Sequence, residues 1–480
     1  MSETLNKTEA GFIDAREKYG EEAEAALREY HSIIGEPYYR WFANLYVPRK
    51  CICNNFDEDG NRVCLLPKDE NGKCLCSGGG FYFSNSARDN EQFGIDIEST
   101  VQACFFIQNT GFLDKFDRDY KKGFPKQMQL DIAAFAKSLQ DPEDGYFYHP
   151  QWGKDIIPSR QGRDLGWATS IIHDLGDMPL YDTPNGYKGS LGAPLGLKDA
   201  DGEKGAAVWS PRLVTLEAFK EYLATKDLKN KSYPVGNEVF SQSSQIIARD
   251  KQMWLEQNPD ADPLAYDKHK PAKGGFLEVL REFFDSQRNP ENGLWQTETC
   301  YYSVNGLMKI SGGYNAVGFK LDYAEEAFDS AVKMALLDPE IKDCQGRIAA
   351  GSVDVFNPWV CINSILTNVK TYGDPALYEK LKEKLRKNAS ELIKVTKDKA
   401  KKFKKPDGSF GYTHGGVGGV SQMAPVAIAG TLEGDINGGN IATNGIWRNM
   451  CATLELKIPL FDETDYEKLM EIIKKNCGYK

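Results

Sequence analysis

The chain holds five histidines, and two of them, His149 and His414, stand just after short turns in which glycine precedes aromatic residues. Four such turns occur: Gly79-Gly80-Phe81-Tyr82-Phe83, Asp144-Gly145-Tyr146-Phe147-Tyr148, Asn292-Gly293-Leu294-Trp295 and Asp407-Gly408-Ser409-Phe410. A histidine titrates near neutrality and can serve as a general base, and a tyrosine beside it can return a proton. His149 or His414 is therefore the candidate base, with Tyr301, Tyr302 and Tyr412 as acid partners. Arg163, Arg448 or Asn305 could hold a substrate carboxylate. Base, acid and carboxylate neutraliser are the three groups that β-elimination beside a carboxylate requires. Flat rings at Trp152, Trp167, Trp295 and Trp447, interleaved with Arg88, Asp164, Glu298 and Asn440, suit a sugar, whose C–H faces stack on aromatics while its hydroxyls seek paired donors and acceptors. Lys309 and Gln422 follow the third and fourth turns, and Asn437 lies in a further polar set after the fourth.

The same segments also carry the makings of a glycoside hydrolase, which needs two carboxylates flanking the scissile bond. Asp89, Asp96, Glu98, Asp164, Glu298 and Asp435 are the candidates, although Arg163-Asp164 reads equally as a local ion pair or a helix cap. Neither chemistry requires a cofactor. Five of the eleven cysteines crowd between residues 51 and 76, and the two C-x-C pairs, Cys51 with Cys53 and Cys74 with Cys76, could supply four thiolates to a structural zinc ion. The alternative is a reduced β-hairpin with incidental cysteines, its turns at Asp59-Gly60 and Asn71-Gly72. The other six cysteines read as reduced thiols.

The glycine-aromatic turns between helix pairs resemble those of (α/α) toroid carbohydrate-active enzymes, both glycosidases and polysaccharide lyases. Asp407-Gly408-Ser409-Phe410 with His414 is similar to the D-G-S-[FY]-x-x-H stretch of chondroitin and hyaluronan lyases. In that family the histidine and a downstream tyrosine act in β-elimination next to a uronate. His414 sits one residue further along than the family pattern, and small or apolar residues occupy the place of its tyrosine. The resemblance implies a toroid over most of the chain and a lyase reaction.

The elements that must position these residues are helices. Met128, Ile132, Phe135 and Leu139 form an i, i+4, i+7, i+11 stripe, and Phe276, Leu277, Leu280, Phe283 and Phe284 form another that stops before Asn289-Pro290. Tyr466, Leu469, Met470 and Ile473 make a third, capped by Thr464 or Asp465. Helix pairs joined by short aromatic turns over the whole length predict one all-α domain spanning 1–480, a closed (α/α)6–7 ring. The glycine- and asparagine-rich stretch from Gly438 to Leu456 has the small, polar character of an inner helix. A cysteine-rich hairpin insertion spans 50–77, and an aperiodic segment at 177–211 is the expected rim loop or lid.

Composition narrows the partners. A formal net charge of -10 weighs against nucleic acid, which demands a basic surface. No stretch has the apolar length of a membrane span or signal peptide, so the expected setting is cytoplasmic. The aspartate-rich D-x-D-D and D-D-x-x-D motifs of terpenoid-processing rings are missing from the sequence. A non-catalytic sugar-binding ring stays open beside the two enzymes. The expected substrate is a small carbohydrate, an oligosaccharide bearing uronate.

Overall fold

The computed structural model describes residues 6–197 and 209–479. Helices dominate it. The described strands form only two two-stranded antiparallel sheets, Tyr46–Val47 with Gly80–Phe81 and Val420–Ser421 with Ala424–Pro425. Five long helices pack in succession: Ile97–Asn109, Pro158–Asp174, Leu228–Phe240, Tyr301–Val317 and Ser352–Tyr372. The fifth packs on Ile446–Thr453, and the short helix Ile436–Asn440, joined to it through a π turn at Ile441–Gly445, packs back on Ile97–Asn109. Other helices lie against these. Lys126–Ser138 rests on Pro158–Asp174, Phe276–Asp285 and Ala324–Leu336 rest on Tyr301–Val317, and Pro375–Lys401 rests on Ser352–Tyr372.

The sequence explains which helix takes which place. The outer ones are amphipathic: Met128, Ile132, Phe135 and Leu139 are all buried, as are Phe276, Leu277, Leu280 and Phe284, while Phe283 is half-buried. The helices of the successive set bury polar residues too, among them Glu98, Gln102, Asp164, Asn305 and Asn357. They also approach closely through small residues. A Cβ at Gly306 would stand 2.0 Å from Ser232 Oγ of the neighbouring helix, so only glycine allows that crossing. The last helix, Glu463–Cys477, begins two or three residues earlier than a cap at Thr464 or Asp465 implied. Asp462 is its cap, accepting from the amides of Thr464 and Asp465, and Asp465 answers with a carboxylate on the Asp462 amide.

Two of the four turns, Asp141–Gly145 and Asn289–Gly293, are copies of each other. In the first, the Asp141 amide donates to Tyr146 O at 2.8 Å, and Gly145 donates back to Asp141 O at 3.0 Å. In the second, Asn289 donates to Leu294 O at 2.7 Å, and Gly293 donates to Asn289 O at 2.9 Å. Gly145, Gly293 and Gly408 all take the left-handed conformation, which a side chain would strain. The aromatic residues that follow turn inward: Phe81, Tyr146, Phe147, Trp295 and Phe410 are core.

Residues 50–77 carry a pair of small hairpins with bridges Phe56↔Arg62 and Lys68↔Cys74, closed at the base by Lys50↔Ser77. Of the segment expected as a lid, 198–208 lies outside the described residues. Its first part is pinned to the neighbouring turn, with Leu180 and Tyr181 amides on Gln140 Oε1 and the Leu195 amide on Pro142 O.

Candidate functional site

The successive helices surround a cavity of about 640 Å³ to which each contributes. Gln102 and Phe105 come from Ile97–Asn109, Arg163 and Trp167 from Pro158–Asp174, Tyr233 and Phe240 from Leu228–Phe240, and Met308 and Lys309 from Tyr301–Val317. Phe356 and Asn357 come from Ser352–Tyr372, and Asn437 and Asn440 from Ile436–Asn440. Gln102 with Phe105, Arg163 with Trp167 and Asn437 with Asn440 are three or four residues apart and Tyr233 with Phe240 seven, the spacings of one inward helix face. Lys268, Tyr412 and Gln422 complete the wall from loops. A second chamber of about 580 Å³ adjoins through Ser244 and Ile247, and residues 182–188 of the pinned loop line it together with Trp209.

Beneath the floor lies a buried charge cluster. Arg160, fully buried, donates to Asp96 at 3.1 Å, Glu98 at 3.1 Å and Asp164 at 2.9 Å. Arg163 also grips Glu98 while its guanidinium lies 4.8 Å from the centre of the Trp167 ring. Burial pushes the Glu98 carboxyl up, but Arg163 and Arg160 outweigh it and hold the group below its ordinary range. Burial wins at Asp164, whose pKa rises to about 7 despite Arg160. With Asp164 protonated, two carboxylates face two guanidiniums and the cluster is neutral.

Above the cluster the cavity faces the other way electrostatically. Among the described residues that line it, no carboxylate appears, whereas Arg163, Lys268 and Lys309 do. Arg163 Nε and Asn357 Oδ1 have no protein partner. Lys268 is already occupied with Ala316 O. Lys309 is held in the wall beside Arg163, and desolvation together with that guanidinium lowers its pKa to about 7. An amine so placed is half neutral near physiological pH and can accept a proton. The phenols of Tyr233 and Tyr412 interact electrostatically with each other, and burial raises both.

Local backbone is specialised at two of these positions. Gln422 and Met423 turn the Val420–Pro425 hairpin with φ of 48° and 65°, the conformation of a I′ turn without its usual glycine. Arg160 fastens that hairpin through Ser421 O at 3.3 Å, and Gln422 Oε1 accepts from Asn237 Nδ2 at 2.7 Å. Tyr412 is fixed by Asp435, which accepts its amide at 2.8 Å and the Gly438 amide at 2.6 Å. Close by, the π turn at Ile441–Gly445 begins immediately after Asn440, an irregularity that recurs at functional sites.

No family model, no curated protein and no solved structure matches this chain. The site is therefore read from its own geometry.

Of the residues singled out from sequence, Arg163, Trp167, Lys309, Tyr412, Gln422, Asn437 and Asn440 line the cavity. Asn305 stands one layer back, accepting from Asn357 Nδ2 at 2.8 Å, and Tyr302 packs edge-on to Tyr233. Asp164 belongs to the cluster below, and Arg160 of that cluster lies 4.9 Å from the Trp152 ring centre.

Several expected positions are corrected. His149 is buried, with Nε2 on Ile95 O at 2.9 Å, Nδ1 accepting from the Gln151 amide and its ring stacked on Trp152, so both nitrogens are engaged. His414 packs on Phe403 rather than facing the cavity, and burial followed by the lysines Lys402 and Lys405 lowers its pKa. Tyr301 is fully buried near Lys399, whose ammonium is bound to Met334 O and Ala335 O. Trp295 is a core ring donating to Phe284 O, and Trp447 another donating to Ile458 O. Arg448 lines a separate groove beside Arg118. Glu298 is exposed near Cys344, and Arg88 is paired with Asp89. The turns deliver their own aromatic residues into the core, whereas Arg163, Trp167, Lys309, Tyr412 and Gln422, further along the chain from them, reach the cavity.

The four thiols that converge are Cys51, Cys53, Cys64 and Cys76, their sulfurs within 4.8 Å of one another. Cys64 stands where Cys74 was expected. The Lys68↔Cys74 bridge holds Cys74 in the hairpin ladder, and its sulfur accepts instead from Arg49 Nη2 at 3.2 Å.

Tyr233, Gln102, Phe105, Phe240, Lys268 and Asn357 went unnoticed in the sequence. The available signal was a polar or aromatic residue on the buried face of a helix, as with Asn357 just ahead of Pro358.

Proposed function

We propose that this chain is an (α/α) toroid that cleaves a carboxylate-bearing oligosaccharide by β-elimination. The closed succession of helix contacts, from Ile97–Asn109 round to Ile436–Asn440 and back, supports the toroid. The observation that carries the reaction is the cavity's charge: Arg163 and Lys309 among amides and aromatic faces, with no facing carboxylate among the described residues.

In this reading Arg163, aided by Asn440, binds the substrate carboxylate, and Trp167 and Phe105 offer ring faces to the sugar. Neutral Lys309 takes the proton from the carbon α to the carboxylate. The electron pair forms the new carbon–carbon double bond, the β carbon–oxygen bond breaks, and a phenol of the Tyr233–Tyr412 pair protonates the departing oxygen. The ammonium on Lys309 and the proton lost by the phenol then exchange with water, which restores the site. The hydrolytic alternative needs two carboxylates at the bond, and Asp96, Glu98 and Asp164 are all committed to Arg160 and Arg163.

The test is ultraviolet absorbance during incubation with uronate oligosaccharides, neutral oligosaccharides serving as controls. Elimination gives a rising absorbance from the conjugated product with uronates alone, and Lys309→Met abolishes it. New reducing ends without absorbance would establish hydrolysis and overturn the proposal. Silence with every sugar would overturn the enzymatic reading.

A further inference from the structure

Between Lys50 and Ser77 only Cys76 is buried. The insertion's larger apolar side chains face solvent, with Phe56 at 63% and Leu65 at 67% exposure. The sulfurs of Cys51, Cys53, Cys64 and Cys76 gather instead at its centre. A segment this small has no hydrophobic core of its own and needs another fastening. Disulfides do not supply it, since all five cysteines here are free.

The sulfur spacing fits a metal. Four thiolates around zinc at about 2.3 Å lie about 3.8 Å from one another in a tetrahedron. Cys64 and Cys76 are 3.7 Å apart, and Cys76 and Cys51 are 3.5 Å apart. A tetrathiolate zinc centre carries two negative charges, and the surroundings answer them. Arg49, buried at 1% exposure, donates from Nε to Cys64 Sγ at 3.4 Å. The Leu66 amide also donates to Cys64 Sγ at 3.4 Å, from a residue whose φ of 52° is left-handed. That conformation is costly for leucine, and it aims the N–H at the sulfur.

We propose that Cys51, Cys53, Cys64 and Cys76 bind one zinc ion that serves as the core of the insertion, with Arg49 as its outer-sphere cation. Arg49 then transmits the anchorage. Its amide donates to Asp131 Oδ2 at 2.9 Å on the Lys126–Ser138 helix, and Asp131 also accepts from Tyr479 at 2.7 Å near the other end of the chain. Gln127 and Arg62 complete the joint by exchanging two hydrogen bonds between side chain and backbone. The zinc is structural, none of its ligands lines the cavity, and it stands whether or not the lyase reading does.

The test is elemental analysis of the full-length protein purified under reducing conditions without chelator. One zinc per chain is expected. Cys64→Ser should lose it and Cys74→Ser should keep it, which separates this assignment from one through the two C-x-C pairs. Should Cys64→Ser fail to fold, uptake of cobalt by the metal-stripped wild-type and Cys74→Ser proteins decides the matter. Intense thiolate-to-cobalt absorption in both supports the site. Absence of metal together with no such absorption would overturn the proposal, as would iron in place of zinc or loss of metal from Cys74→Ser.

Discussion

Arg160→Met removes the one cation shared by three buried carboxylates. Asp96, Glu98 and Asp164 have side chains no more than 3% exposed. Two of them keep other partners: Glu98 retains Arg163, and Asp96 retains the Ser99 amide and hydroxyl. Asp164 is left alone, since its Oδ1 already lacks a partner. Breaking a buried pair from one side costs about 3–5 kcal/mol. For 480 residues, an unfolding entropy of about 2 cal/mol/K each gives about 1 kcal/mol/K, so the melting temperature should fall by about 3–5 °C. Calorimetry of the wild type, Arg160→Met, Asp164→Asn and the double variant measures both the loss and its origin. In the double variant a neutral amide replaces the stranded carboxyl, so it should recover at least ~1 kcal/mol relative to additivity. A melting temperature unchanged in Arg160→Met, or strict additivity in the cycle, would refute the view that this cluster is held by charge pairing. The variant should also release the Val420–Pro425 hairpin, because Arg160 binds Ser421 O.

Three further outcomes follow from the same geometry. Lys309 has a folded pKa lowered from 10.5 to about 7, so the folded state binds fewer protons than the unfolded chain between those values. Its contribution to stability therefore improves as pH rises from about 7 toward 10, the improvement disappears in Lys309→Met, and kcat/KM should rise through an apparent pKa near 7 if this amine is the base; urea titrations and rate profiles across pH read both. His414→Ala should leave kcat unchanged, since His414 packs on Phe403 outside the cavity, and a collapse of kcat with an intact fold would restore the histidine as base. Trp167→Ala, at a half-buried ring lining the cavity, should weaken oligosaccharide binding about tenfold, about 1.4 kcal/mol by calorimetric titration, with little change in melting temperature.

Helix existence was plain in the sequence because burial on one side leaves a periodic trace, as at Met128, Ile132 and Phe135. The copied turns were plain for a different reason: Asp141-Pro142-Glu143-Asp144-Gly145 and Asn289-Pro290-Glu291-Asn292-Gly293 specify the same local hydrogen bonds without help from the rest of the chain. The converging thiols were half legible. Crowding of cysteines is a local property, but the choice of Cys64 over Cys74 depends on which residue the Lys68↔Cys74 bridge ties into a ladder.

The cavity was harder to see because its residues are linked only through the packing of separate helices. Phe105, Phe240 and Phe356 look like ordinary core aromatics in sequence, and only the succession of neighbouring helices turns their faces to a common space. Arg163 was legible as a charge but not as a choice, since Arg160 three residues earlier has the same chemistry and the opposite fate. One is sealed among three carboxylates, while the other spends a single contact on Glu98 and keeps Nε free. That division has a physical use. Glu98 is shared by both arginines, so the sealed cluster fixes the carboxylate that orients Arg163, and the cavity gains a positioned cation without a facing anion. A helix-built wall with its cations held from behind can present a preset charge to a substrate, and presetting is what lets an electrostatic contact favour a developing enolate.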